Sequence, residues 1–233
     1  MMVSDPNRAI LLLIAKALGD LREQVVFVGG CAAGLLVTIA RAQVIRPTDD
    51  VDIVANVVSQ QGYHALEEQL RAKGFVQKMD VDAPICRWGY EGVAVDVMPI
   101  DENVLGFANR WYPLAMESAE HFKLDDETNI RLISAPVFIA TKFEAFADRG
   151  KGDMLLSHDM EDIITVIDGR PSIIVEMKFV PRVLQEYITE KFSALLENDE
   201  FLSVIPAYLP GDAASQARLP LLEAKLRELA NLV

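Results

Sequence analysis

Hydrophobic positions in the first part of the chain follow two different periods. Residues 5–20 place apolar side chains at helical spacing, with Asp5-Pro6 ahead of them as N-cap and first-turn proline. QVVFV, ending at Val28, is a short β-branched run that suits a buried strand. Gly29-Gly30 ends it, and CAAGLLVTIARAQ reads as a helix, weakened by Gly34. Arg46-Pro47-Thr48 is a connector, after which Asp50-Val51-Asp52 opens a second strand. SQQGYHALEEQLRAKG sets Tyr63, Leu66 and Leu70 on one helical face, with Gly74 as the C-cap. FVQKM, APICRWGY and GVAVDVMPI read as three strands, the last two joined in a hairpin through Glu91-Gly92. Asp101 and Glu102 read as loop acids, and Asn109 to Pro113 as a polar–aromatic loop, for which surface packing is favoured over contact with a base or acceptor. HFKLDDETNIRLI predicts two short strands around an Asp125-Asp126 turn.

From Ala135 the period becomes helical almost throughout. APVFIATKFEAFADRG predicts a strong helix, and SHDMEDIITVID a second with Asp159 and Asp162 on one face. IIVEMKF, PRVLQEYITEKFSALLE and SQARLPLLEAKLRELANLV are amphipathic, and Pro210-Gly211 marks a turn before the last. That terminal helix either docks in cis or makes a dimer contact. The expected fold class is α+β: a small mixed sheet with flanking helices over residues 1–134, then a helical C-terminal half over residues 135–233. Repeats and low-complexity segments are absent from the sequence.

Composition narrows the functional classes. Half of the 233 residues are hydrophobic, enough for a sizeable core, and no apolar run reaches the length of a membrane span. The formal net charge of −13 argues against broad nucleic-acid binding, which needs basic surface, but permits a local basic groove. AILLLIAKALG is interrupted by Lys16 and has no A-x-A cleavage pattern, so a core helix is expected rather than a leader. Two cysteines, Cys31 and Cys86, predict no disulfide framework and suit a reducing, cytoplasmic setting. His64, His121 and His158 are scattered, so zinc is not suggested.

The chemistry concentrates in three acids and two glycines. A strand has period two, so Asp50 and Asp52 point to one face, where their charges repel. A hard divalent cation, Mg²⁺ or Mn²⁺, removes that cost. Asp96 sits among Val93, Val95 and Val97, an expensive place for an acid unless it is paired or metal-bound. Gly29-Gly30 leading into a helix offers backbone N–H groups and a positive dipole end to phosphate. The three carboxylates are therefore expected to converge on adjacent strands, facing the glycines.

V-G-G, then T-x-D-x-D, then V-D-V resembles the nucleotidyltransferases of the DNA polymerase β superfamily, and most closely the minimal abortive-infection and toxin–antitoxin type. The resemblance covers roughly residues 20–170. It implies transfer of a nucleoside monophosphate from an NTP to an acceptor hydroxyl, with release of pyrophosphate. The acceptor would be a tRNA end, a protein or a small molecule, and the partner an antitoxin or a second copy. Asp50, Asp52 and Asp96 would be the catalytic and metal-binding acids, with Gly29 and Gly30 holding phosphate. K-x-x-A-x-x-x-R followed by D-x-x-D extends the likeness and makes Lys142 the lysine that reaches the triphosphate. The alternative for Lys142 is a solvated helical lysine, and for Arg149 a surface pair with Asp153 or Asp159. The link KGDMLLSHD is longer than the family suggests, which loosens the alignment of Asp159 and Asp162. Cys31 departs from the Ser or Thr of many relatives, and a thiol is a weak hydrogen-bonding group. Two other classes remain: a nucleotide-binding, low-turnover half of a toxin–antitoxin pair, and a dinucleotide-binding module. The second has Gly29 and Gly34 in place but Cys31 at the middle glycine.

Overall fold

The computed structural model describes residues 5–39, 45–79, 83–149 and 154–233, apart from the side chain of Arg149. The predicted helix end at 40–43, the link at 150–153 and the proposed pairing of Arg149 fall outside this range. By their contacts the residues form two compact units. One comprises the described residues of 5–32 and 46–134, and the other residues 33–39, 45, 135–149 and 154–233.

The first unit is built on a seven-stranded mixed sheet. Its strands are β1 (Val25–Val28), β2 (Asp50–Ala55), β3 (Val76–Gln77), β4 (Arg87–Tyr90), β5 (Val93–Pro99), β6 (Glu120–Lys123) and β7 (Asn129–Leu132). Their spatial order is β3-β4-β5-β2-β1-β7-β6. β1 lies near the middle, and all four of its residues are buried, as its unbroken apolar run requires. β2 runs parallel to β5 and antiparallel to β1. That antiparallel pairing excludes the parallel β-α-β unit of a dinucleotide-binding fold, in which a right-handed crossover returns a parallel strand. Val51 and Ile53 of β2 and Val95 and Val97 of β5 are fully buried.

The helices of this unit follow the sequence pattern with shifted ends. α1 (Arg8–Leu18) buries Leu11, Ile14, Ala15 and Leu18 and packs on β2. Its N-cap is Asn7, not Asp5; the Asp5 carboxylate accepts the Asn7 N–H ahead of the helix at 2.9 Å. α2 (Gly29–Leu36), of which residues 29–32 belong to this unit, starts at the Gly-Gly pair itself and ends at Leu36, so the glycines form its first turn rather than a separate one. α3 (Gln60–Ala72) is capped by Ser59 and buries Tyr63, Leu66 and Leu70. Asp101 is not a loop acid: its side chain caps the short α4 (Glu102–Leu105). Nor is 109–113 wholly loop, because α5 (Tyr112–Glu117) starts inside it with proline in its first turn. The β4–β5 hairpin has a two-residue turn, with Glu91 at φ 47° and Gly92 at φ 87°. Two positive φ angles in succession define the turn whose twist matches paired strands.

The second unit is helical, with α6 (Ala135–Arg149), α7 (His158–Gly169), α8 (Ile173–Met177), α9 (Arg182–Leu196), α10 (Asp199–Val204), α11 (Ala213–Gln216) and α12 (Leu219–Leu229). Phe143 of α6 meets Phe192 of α9 edge-to-face, with centroids 5.1 Å apart. The terminal helix docks in cis: Leu222, Leu226 and Leu229 of α12 are buried, and the helix packs on α9 and α8. Its Lys225 reaches the end of α7 and donates to the carbonyls of Ile167 and Asp168 at 2.5 and 3.2 Å. This satisfies two of the carbonyls that a helix C-terminus leaves unpaired. No helix among the described residues is long and apolar enough to cross a membrane.

Candidate functional site

β2 and β5 bring the three acids together by register. Asp52 lies directly beside Asp96, and Asp50 beside Ala94, on parallel neighbouring strands. Period two then puts all three side chains on one face. One carboxylate oxygen from each of Asp50, Asp52 and Asp96 lies within 4.8 Å of the others. Asp96 is the most enclosed, with its side chain 11% exposed, whereas Asp50 at the strand entrance is 40% exposed.

Gly29 closes the cluster from the next strand connection. It has φ +69°, and a Cβ there would stand 1.8 Å from Asp52 Oδ2. Glycine is thus required twice, by the backbone conformation and by the carboxylate against it. Gly30 is buried in the same first turn of α2. The Cys31 thiol is also fully buried and sits 3.3 Å from the carbonyl of Val28. It faces the preceding strand rather than an open surface.

One residue of the cluster escaped the sequence reading. Arg87 of β4 stands opposite Asp96 in the antiparallel register. Its guanidinium grips Asp96 with two bonds, Nε to Oδ1 at 2.8 Å and Nη2 to Oδ2 at 2.7 Å. Nη2 also reaches Asp50 Oδ2 at 3.5 Å. The hydrogen bond to Asp96 holds the guanidinium above its ordinary pKa. The signal was present: counting outward from a two-residue turn at Glu91-Gly92 pairs 90 with 93 and therefore 87 with 96. Asp96 is accordingly both a member of the acidic cluster and a partner in an ion pair. Behind them, burial and the nearby Asp96 and Asp52 push the Cys86 thiol up to about 12, so it stays neutral. The Tyr63 hydroxyl donates to the Val97 carbonyl at 2.9 Å, tying α3 to β5 one residue past Asp96.

Three hard oxygen donors at this spacing fit a small divalent cation. Mg²⁺ takes one or two protein carboxylates and completes its shell with water and substrate phosphate.

A comparison with solved structures identifies the architecture. An antigenic nucleotidyltransferase-like protein from Paracoccidioides brasiliensis superposes with a TM-score of 0.50 at 18% identity, covering 87% of this chain and 94% of that one. The fold is nucleotidyltransferase-like. Two further structures overlap in part. They are the antibiotic-resistance factor ANT(2'')-Ia, with a TM-score of 0.49, 15% identity and coverage of 82% and 95%, and JHP933 from Helicobacter pylori, with 0.44, 13%, 100% and 91%. No protein-family model and no curated protein matches the chain.

Lys142 belongs to the helical unit and has its own partners there. It is not a solvated lysine, because its side chain is only 8% exposed. Its ammonium lies 3.0 Å from Asp159 Oδ1 and 2.6 Å from Asp162 Oδ2. Burial alone would lower its pKa; Asp162 and Asp159 outweigh that and raise it. The predicted shared face of Asp159 and Asp162 on α7 is therefore the face turned to Lys142. Ser157 caps α7 just ahead of them, accepting the Met160 N–H.

Proposed function

We propose that the chain is a divalent-metal-dependent nucleotidyltransferase that moves a nucleoside monophosphate from an NTP to an acceptor hydroxyl and releases pyrophosphate. The observation that carries this is the convergence of Asp50, Asp52 and Asp96 beside Gly29 in a nucleotidyltransferase-like sheet. Asp50, Asp52 and Asp96 would hold Mg²⁺ or Mn²⁺, which when bound stabilises the attacking and leaving oxygens of an in-line displacement. The backbone N–H groups of Gly29 and Gly30, at the N-terminus of α2, would take the β- and γ-phosphates. Asp96 would help to deprotonate the acceptor hydroxyl, once Arg87 no longer occupies both of its oxygens. The family resemblance would make Lys142 a triphosphate-binding lysine, a role that its buried pairing with Asp159 and Asp162 opposes. It also leaves the acceptor as a tRNA end, a protein side chain or a small molecule, with an antitoxin or a second copy as partner. One observation favours a second reading, a nucleotide-binding protein of low turnover: the bidentate hold of Arg87 on Asp96.

The test incubates the protein with each labelled NTP, Mg²⁺ or Mn²⁺, and fractionated cell extract. Metal-dependent label in one fraction, with pyrophosphate released, is the expected result and names the acceptor. Nucleotide binding without label transfer from any NTP would select the low-turnover reading.

A further inference from the structure

The acidic cluster already contains a cation of its own. Arg87 engages both oxygens of Asp96 and approaches Asp50, two of the three groups that would hold a metal. We propose that Arg87 is the resident counter-ion of the cluster, and that a divalent cation enters by displacing its guanidinium from Asp96 and Asp50. The inference rests on the metal site of the proposed function and adds the device that controls its occupancy.

Three features carry it. The first is charge: three carboxylates within 4.8 Å repel one another, and Arg87 sets a positive charge against two of them, Asp50 and Asp96. The second is geometry. Nε and Nη2 together engage both oxygens of Asp96, and a second cation a few ångströms from the guanidinium would be repelled by it. Both cannot hold the same carboxylates at once at full strength. The third is access. The Arg87 side chain is 30% exposed and Asp50 40% exposed, so the guanidinium can swing to solvent on its flexible stem. A purely structural pair gains nothing from that opening. No bond is made or broken in the exchange; one cation leaves the carboxylates as another arrives.

The exchange predicts opposite signs for two measurements. Arg87→Met removes the competitor, so Mn²⁺ should bind the full chain about tenfold more tightly, equivalent to roughly 1.4 kcal/mol. Without metal the same variant should melt at a lower temperature than wild type, because the carboxylates lose their counter-ion, and Mn²⁺ should raise its melting temperature more. Arg87→Lys keeps the charge but loses the two-pronged grip, so it should fall between the two in both measurements and serve if the Met variant folds poorly. The readouts are Mn²⁺ titration by electron paramagnetic resonance and thermal unfolding, neither of which depends on turnover. If wild type binds Mn²⁺ and the folded Arg87 variants bind it equally or more weakly, this proposal is overturned and the metal site stands. If neither wild type nor variants bind Mn²⁺, the metal site itself fails, and the exchange with it.

Discussion

The two units each hold a cluster of carboxylates around one cation, and the clusters are built for different ends. In the sheet unit Arg87 holds two of three clustered acids, Asp96 and Asp50, at an open rim, with the guanidinium 30% and Asp50 40% exposed. In the helical unit Lys142 serves two acids in a closed interior, where the three side chains are 8%, 10% and 4% exposed. The open cluster lies partly in solvent, where its counter-ion can exchange. The closed one cannot release its lysine without leaving two carboxylates buried, which costs far more than the rim pair. Similar residue types thus give a replaceable counter-ion in one place and a fixed structural tie in the other. Accessibility, more than composition, separates them.

The largest effect should come from breaking the closed cluster. Lys142→Ala leaves Asp159 and Asp162 buried without their cation and should cost about 3–5 kcal/mol in urea unfolding. The pH dependence sharpens this. The pKa of Lys142 is raised above its ordinary 10.5 in the fold, so its contribution is complete below that value and is lost as pH climbs through the raised one. Wild type should therefore lose stability at strongly alkaline pH more steeply than Lys142→Met. A loss below about 1 kcal/mol for Lys142→Ala, typical of exposed pairs, would erase the contrast between the clusters.

Gly29→Ala should come next. The left-handed φ and the contact with Asp52 together should cost about 1–3 kcal/mol, and moving the Asp52 carboxylate should weaken Mn²⁺ binding as well. An alanine variant with unchanged melting and Mn²⁺ affinity would mean that Asp52 yields freely, and the open cluster would then lack a fixed wall.

The smallest stability effect is expected at Asp50. Its exposed carboxylate is only 3.5 Å from Arg87 at best, so Asp50→Asn should change unfolding free energy by less than about 0.5 kcal/mol. Metal-dependent nucleotide transfer should fall by more than the roughly 10–100-fold seen for groups that merely support a ligand. An Asn variant that keeps its activity but loses stability would make Asp50 a structural partner of Arg87, and the open cluster a second fixed tie.

Much of this was written in local pattern. The β-branched run at 25–28, the D-x-D at 50–52 and the alternating valines around Asp96 set strand type and side-chain face, because period two is a property of the backbone alone. The helical spacing of Tyr63, Leu66 and Leu70 and of Leu222, Leu226 and Leu229 did the same for α3 and α12. Element ends were less legible: α2 begins at Gly29 and Asn7 displaces Asp5 as the cap of α1, since a few tenths of a kcal/mol decide such boundaries. What the sequence could not contain was partnership across distance. That β2 pairs parallel with β5 and antiparallel with β1 is settled by long-range packing, and it placed Asp52 beside Asp96 and ruled out the dinucleotide-binding arrangement. The tertiary structure also chose the partner of each cation, Arg87 for the rim acids and Lys142 for Asp159 and Asp162. Coulomb attraction selects by separation in space, and separation along the chain does not determine it.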